Sequence, residues 1–148
     1  MTPVDGTAQP GSETLSLDFD LHHPPEKVWR ALTDPVLLAE WLLPVIDFHL
    51  EPGAAFTFKT QPHPGWDGTV NCRFLEIEAQ RKLSYTWTVG DMELDTVVTF
   101  TLTPTASGTR LSLVQSGFKP HQKQNFGGAR YGWRMMGGRL VDLLATLP

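Results

Sequence analysis

Only one long stretch of this chain repeats its apolar residues at a helical period, and it lies at the C-terminal end. Over residues 129–147, Trp133, Met136, Leu140, Leu143, Leu144 and Leu147 fall on about a 3.6-residue repeat. Most of what precedes it alternates at period two. Leu15, Leu17, Phe19 and Leu21 stand against Ser16, Asp18 and Asp20, which predicts a first strand over 14–21 with one buried and one wet face. Further strand patterns cover 47–50, 54–60, 68–78, 83–89, 95–103 and 108–116, at the short spacing of an antiparallel meander. A sheet of half-apolar strands must cover its apolar face, and the terminal helix is the one long element able to do so. The expectation is an α+β fold, a seven-stranded curved antiparallel sheet around a long C-terminal helix.

Two short helices are expected between the first two strands. Pro24-Pro25 precedes Val28, Trp29 and Leu32 at helical spacing, with proline suited to a first helical turn. Thr33-Asp34-Pro35 ends that helix, because the residue before proline avoids the α region, and a second carries Leu37, Leu38, Trp41 and Leu42. Glu51-Pro52-Gly53 reads as the turn of a hairpin between 47–50 and 54–60. Gly117 to Gly127 reads as a loop. One helix rarely fills a strongly curled sheet completely, so a cavity between them is expected.

With 148 residues, the chain is sized for one domain, 14–148, behind a polar, flexible tail over 1–13. No apolar run is long enough to span a membrane, and the N-terminal segment lacks the basic and apolar regions of a secretory signal. These features point to the cytoplasm. The single Cys72 agrees with a reducing compartment and reads as a buried structural thiol. A net charge of −4 argues against a general nucleic-acid binder. The charge is uneven: residues 1–95 hold 15 Asp/Glu against 6 Lys/Arg, whereas residues 96–148 hold 6 Lys/Arg against Asp142 alone. Either a basic helix is solvated on its outer face, or a basic entrance attracts an anionic ligand or acidic partner.

Pro25-Glu26-Lys27-Val28-Trp29-Arg30-Ala31-Leu32-Thr33-Asp34-Pro35, followed by Trp41, resembles the signature of the activator-of-Hsp90-ATPase-homologue-like branch of the START/polyketide-cyclase (SRPBCC, Bet v 1-like) superfamily. Pro52-Gly53, Phe74 to Glu78, Leu83 to Trp87, Gly108 to Leu111 and Gly132-Trp133 follow in the same order, so the resemblance covers about Thr14 to Leu147. It implies a helix-grip fold whose cavity holds a hydrophobic or amphipathic small molecule, in a superfamily that spans lipid carriers, cyclases and stress-response proteins. The co-chaperone that names the branch joins this domain to a separate Hsp90-binding domain, so its activity does not transfer by name.

The residues themselves exclude several chemistries. His22, His23, His49, His63 and His121 lack metal-ligand spacing, no G-x-S-x-G elbow is present, and no motif implies a metal or a cofactor. If Leu75 and Ile77 face the helix, period two also turns Asn71 and Arg73 inward; Leu83 likewise brings Tyr85 and Trp87, and Leu111 and Leu113 bring Gln115. With Trp133, Met136 and Gly137 from the helix, these make the expected ligand-binding set. Buried Asn, Arg and Gln need partners, from one another or from a ligand. Gly137-Gly138 in mid-helix implies close approach by a strand or room for a ligand. Phe118 to Phe126 reads as a gate, with His63 to Trp66 as the opposite rim. Two further readings stand beside binding: a cyclase- or hydrolase-type enzyme using Arg73, Tyr85 or Asp67, and an interaction module that engages Hsp90 or forms a homodimer.

Overall fold

The computed structural model describes residues 13–90 and 93–148; the expected N-terminal tail, Glu13 apart, lies outside the described residues. One antiparallel sheet contains β1 (Glu13–Leu21), β2 (Val45–Ile46), β3 (Ala55–Lys59), β4 (Thr69–Glu78), β5 (Lys82–Val89), β6 (Leu94–Thr105) and β7 (Gly108–Phe118). Helices α1 (Pro25–Thr33) and α2 (Pro35–Trp41) lie between β1 and β2, and α3 (Lys123–Thr146) ends the chain. The strand order β1-β7-β6-β5-β4-β3-β2 makes β2 to β7 a meander and puts β1 against β7. The two short helices therefore carry the chain from one edge of the curved sheet to the other. This is the α+β helix-grip arrangement that the alternating strands and the lone terminal helix called for.

Local chemistry explains the crossover. Proline opens both helices, where its missing N–H costs nothing, and Asp34 both ends α1 and caps α2, its Oδ1 accepting from the Val36 N–H at 2.9 Å. The Trp41 indole N–H donates to the Ala31 carbonyl at 2.9 Å, which locks α2 onto α1. Lys27 then reaches the far end of α3, its Nζ donating to the Leu147 carbonyl at 2.8 Å.

Two boundaries differ from expectation. The second strand is Val45–Ile46, paired with Phe58 and Thr57, rather than 47–50. Asp47 adopts a positive φ of 59°, which breaks the extended run, and the Gly53 N–H donates to the Phe74 carbonyl, so the Glu51-Pro52-Gly53 turn docks on β4. Helix α3 begins at Lys123, well before 129. Gln122 starts it early: its side-chain oxygen accepts from the Lys119 N–H at 2.8 Å and its carbonyl from the Phe126 N–H at 2.9 Å, and the Gly127-Gly128 pair is carried inside the helix. Among the described residues, no helix is long and apolar enough to cross a membrane.

The core lies between the sheet's concave face and α3. Leu83, Tyr85, Trp87 and Val89 on β5, and Val98, Phe100 and Leu102 on β6, are buried at every second position, facing Trp133, Leu140 and Leu144. At Gly137 helix and sheet are in close contact, since a Cβ there would overlap the Phe19 ring of β1. Gly138 is exposed, and a Cβ on it would meet nothing within 4 Å. The two glycines should therefore respond oppositely. Gly137→Ala should lower the unfolding free energy by about 1–3 kcal/mol through overpacking, while Gly138→Ala should raise it by up to about 1 kcal/mol through helix propensity. Urea denaturation followed by circular dichroism measures both.

Candidate functional site

The N-terminal half of α3 presents small residues to the sheet where the C-terminal half presents leucines. Gly128, Ala129 and Gly132 lie on the same face as Trp133 and Met136, and a Cβ on Gly128 would meet nothing within 4 Å. The missing side chains leave a cavity of about 300 Å³ between helix and sheet. Its floor is buried: Val70 of β4, Trp87 and Val89 of β5, Leu94 of β6, Gln115 of β7 and Trp133 itself. Exposed Gln124 and Gly128, with half-buried Trp66 and Asn125, form the rim. Among the described residues, no ionisable side chain lines this space.

Three features hold the walls. The Trp87 and Trp133 rings pack with centroids 5.2 Å apart, backed by Phe58 and Phe100. On the rim, the Trp66 indole N–H donates to the Thr69 carbonyl at 3.0 Å, so this ring offers the cavity an apolar surface with its polar atom already satisfied. Its other neighbour is His63, stacked at 6.0 Å across the turn of the β3–β4 connection. At the mouth, buried Gln122 donates through Nε2 to the Glu93 carbonyl at 2.9 Å, tying the start of α3 to the β5–β6 hairpin. Phe118 and Phe126 pack on each other rather than on the opening, with centroids 5.2 Å apart.

Buried hydrogen bonds connect the floor to the helix. The Trp133 Nε1–H donates to Gln115 Oε1 at 2.8 Å, Gln115 Nε2 donates to Thr96 Oγ1 at 2.9 Å, and the Thr96 hydroxyl donates to the Trp87 carbonyl at 2.9 Å. An indole is a donor only, so the Gln115 amide cannot flip without breaking this chain.

Of the residues expected to bind ligand, Trp87, Gln115, Trp133 and Met136 line the cavity. Tyr85 and Gly137 are buried in the core beyond it, Tyr85 among Phe56, Phe58, Phe74 and Phe100 and Gly137 against Phe19. Asn71 and Arg73 do not point inward. A bulge between Phe74 and Glu76 on β4 resets the alternation, so Val70, Cys72 and Phe74 take the inner face before it and Ile77 after it. Both polar side chains are exposed on the outer face, and Arg73 Nη1 donates to the Gly53 carbonyl at 2.6 Å. Asp67 is also exposed, its Oδ1 accepting from the Thr69 N–H at 3.0 Å. None of Arg73, Tyr85 and Asp67 lines the cavity.

The remaining chemistry-bearing groups are placed as packing would place them. Cys72 is free and buried, and burial pushes its thiol above the usual range. Tyr85 is raised well above its usual value by burial first and by Cys72 second. Among the described residues, no three of His, Cys, Asp and Glu converge as a metal site would require. The cations of α3 face outward: Lys123, Arg134 and Arg139 are exposed and Arg130 sits 5.4 Å over the Phe126 ring.

Sequence reasoning missed Val70, Val89, Leu94 and the small residues of α3. The signal for the last was present: Gly128 and Ala129 fall about one helical turn before Gly132, which falls one turn before Met136. Trp66 lies where the rim was expected.

These features define a helix-grip protein with an apolar, rim-opened cavity. The profile of the family described as "Activator of Hsp90 ATPase homolog 1-like protein" matches residues 22–145, and the chain belongs to that family. Three solved structures agree with it in fold and length. Protein MLL2253 of Mesorhizobium loti is 41% identical, with a TM-score of 0.85 over 92% of this chain and 99% of that one. CV1439 of Chromobacterium violaceum is 29% identical, with a TM-score of 0.71 over 88% and 96% of the two chains. NE0264 of Nitrosomonas europaea is 27% identical, with a TM-score of 0.73 over 89% and 94%. No curated protein matches the chain.

The Tyr85 hydroxyl, fully buried, has no hydrogen-bond partner among the described residues. A buried unpaired hydroxyl is a net cost, so Tyr85→Phe should raise the unfolding free energy by about 1 kcal/mol. Thermal denaturation checks this; a loss of stability of that size would show that the hydroxyl is paired.

Proposed function

We propose that this chain binds a neutral, largely apolar small molecule in the cavity under the N-terminal half of α3. The observation that carries the reading is the composition of the wall: indoles from Trp66, Trp87 and Trp133, aliphatic side chains from Val70, Val89 and Leu94, and no ionisable group among the described residues. An ionised guest group placed there would lose its hydration without gaining a counter-charge, at a cost of several kcal/mol. A hydrocarbon or aromatic body instead exchanges water for packing surface at roughly 25 cal/mol per Å² of apolar area. An amphipathic guest is compatible if its polar end reaches the rim at Gln124 and Asn125.

Size narrows the class. At the packing density of organic solids, about 300 Å³ holds a guest of roughly 10–15 non-hydrogen atoms. The same wall favours carriage or sequestration over proton-transfer chemistry, which needs a titratable group within reach of the substrate. A cytoplasmic setting is part of the proposal, resting on the single Cys72, which is free and buried.

Gly132→Leu is the direct test, because it fills the cavity from a helix face where a Cβ has room, its nearest neighbour being Met136 Cε at 3.9 Å. Neutral bicyclic aromatics should saturably quench the wild-type tryptophan emission. In Gly132→Leu their affinity should fall tenfold or more while the melting temperature holds. If neither neutral aromatics nor short lipids bind wild type up to their solubility, the reading is wrong.

A further inference from the structure

Gln115 is the one buried polar side chain in the cavity lining among the described residues, and the hydrogen bonds around it fix which way its amide faces. This side chain is 1% exposed and lines the cavity floor. Its amide orientation is forced. Trp133 Nε1 can only donate, so Oε1 must face it at 2.8 Å and Nε2 must face Thr96 Oγ1 at 2.9 Å. The Thr96 hydroxyl proton is already committed to the Trp87 carbonyl, so Thr96 receives one amide proton and gives none back to Gln115. A primary amide carries two N–H bonds. The second N–H of Gln115 has no partner among the described residues, in a side chain buried against the cavity.

We infer that this N–H is a recognition element, and that the guest is a flat, neutral aromatic molecule bearing a hydrogen-bond acceptor of the carbonyl type, the acceptor meeting Gln115 and the ring lying between Trp87, Trp133 and Trp66. The inference rests on the cavity reading above and goes beyond it in specifying the guest's polar group and where that group sits. Without a guest, water can satisfy the N–H. A guest without an acceptor displaces that water and strands the donor, whereas a carbonyl replaces it in kind. The selection therefore works against pure hydrocarbons as much as for ketones, esters or lactams. Flatness follows from the aromatic walls, since stacked or edge-on ring contacts reward a planar guest over a branched one of equal volume. Charge is excluded by the absence of any ionisable lining group among the described residues.

A matched pair of probes tests this: 2-acetylnaphthalene, and 2-isopropylnaphthalene of the same size without the acceptor. Both are titrated into wild type and Gln115→Met by tryptophan quenching. The ratio of ketone to hydrocarbon affinity should fall about threefold to tenfold in Gln115→Met, the worth of one buried hydrogen bond, with hydrocarbon binding kept or improved. Both probes binding with an unchanged ratio would overturn the inference and leave the cavity reading standing. Failure of both to bind wild type would overturn the cavity reading and the inference with it. A second measurement does not depend on the variant's folding. In wild-type protein labelled with ¹⁵N, the ketone should move one of the two Gln115 side-chain amide protons strongly downfield and the hydrocarbon should not; a bound ketone that moves neither proton also overturns the inference.

Discussion

How deeply the terminal helix sits in the sheet sets everything else in this molecule. At Gly137 the absence of a side chain lets the Phe19 ring of β1 press against the helix backbone. One turn earlier, Trp133 is held to the sheet by its hydrogen bond to Gln115, and at the far end Lys27 of α1 grips the Leu147 carbonyl. With these three contacts made, the C-terminal half of α3 is seated firmly and its leucines close the core. The N-terminal half bears Gly128, Ala129 and Gly132 on its inner face, so the space beneath it stays open. The cavity is thus a consequence of one rigid helix carrying large side chains at one end and small ones at the other.

The hydrogen-bonded chain from Trp133 through Gln115 and Thr96 to the Trp87 carbonyl has two effects at once. It satisfies polar groups that would otherwise be costly under the helix, and it fixes the orientation of the Gln115 amide. A core made solely of leucine and phenylalanine would be equally well packed and would carry no directional contact. The outward-facing cations of α3 take no part in this arrangement. Of the two ways to read the basic C-terminal third, the solvated outer face is the one the geometry matches, with Lys123, Arg134 and Arg139 exposed and no cation in the cavity lining among the described residues.

The architecture was legible because its signals are periodic and long. Alternation over β1, β5, β6 and β7 and the 3.6-residue stripe ending at Leu147 leave few arrangements other than a sheet wrapped on a helix, and Trp87, Gln115, Trp133 and Met136 followed from that parity. Asn71 and Arg73 were misplaced because a single extra residue at the Phe74–Glu76 bulge reverses inside and outside, and alternation read from Leu75 or Ile77 cannot detect it. Tyr85 has the right parity but lies too far along β5, among phenylalanines, and position along a strand is not encoded in period two. The start of α3 was hidden by Gly127-Gly128, which read as loop residues although Gln122 had already turned the chain into a helix. The second strand failed for a related reason, a positive φ at Asp47 inside an otherwise extended pattern.

Crystals pressurised with xenon examine the void itself, independent of any choice of guest. Xenon seeks dry apolar space, so its density should appear between Trp87, Trp133 and Met136, in contact with the Gly132 backbone. A map with no xenon there, and with Met136 or a tryptophan ring turned in to occupy the gap, would contradict the account at its root.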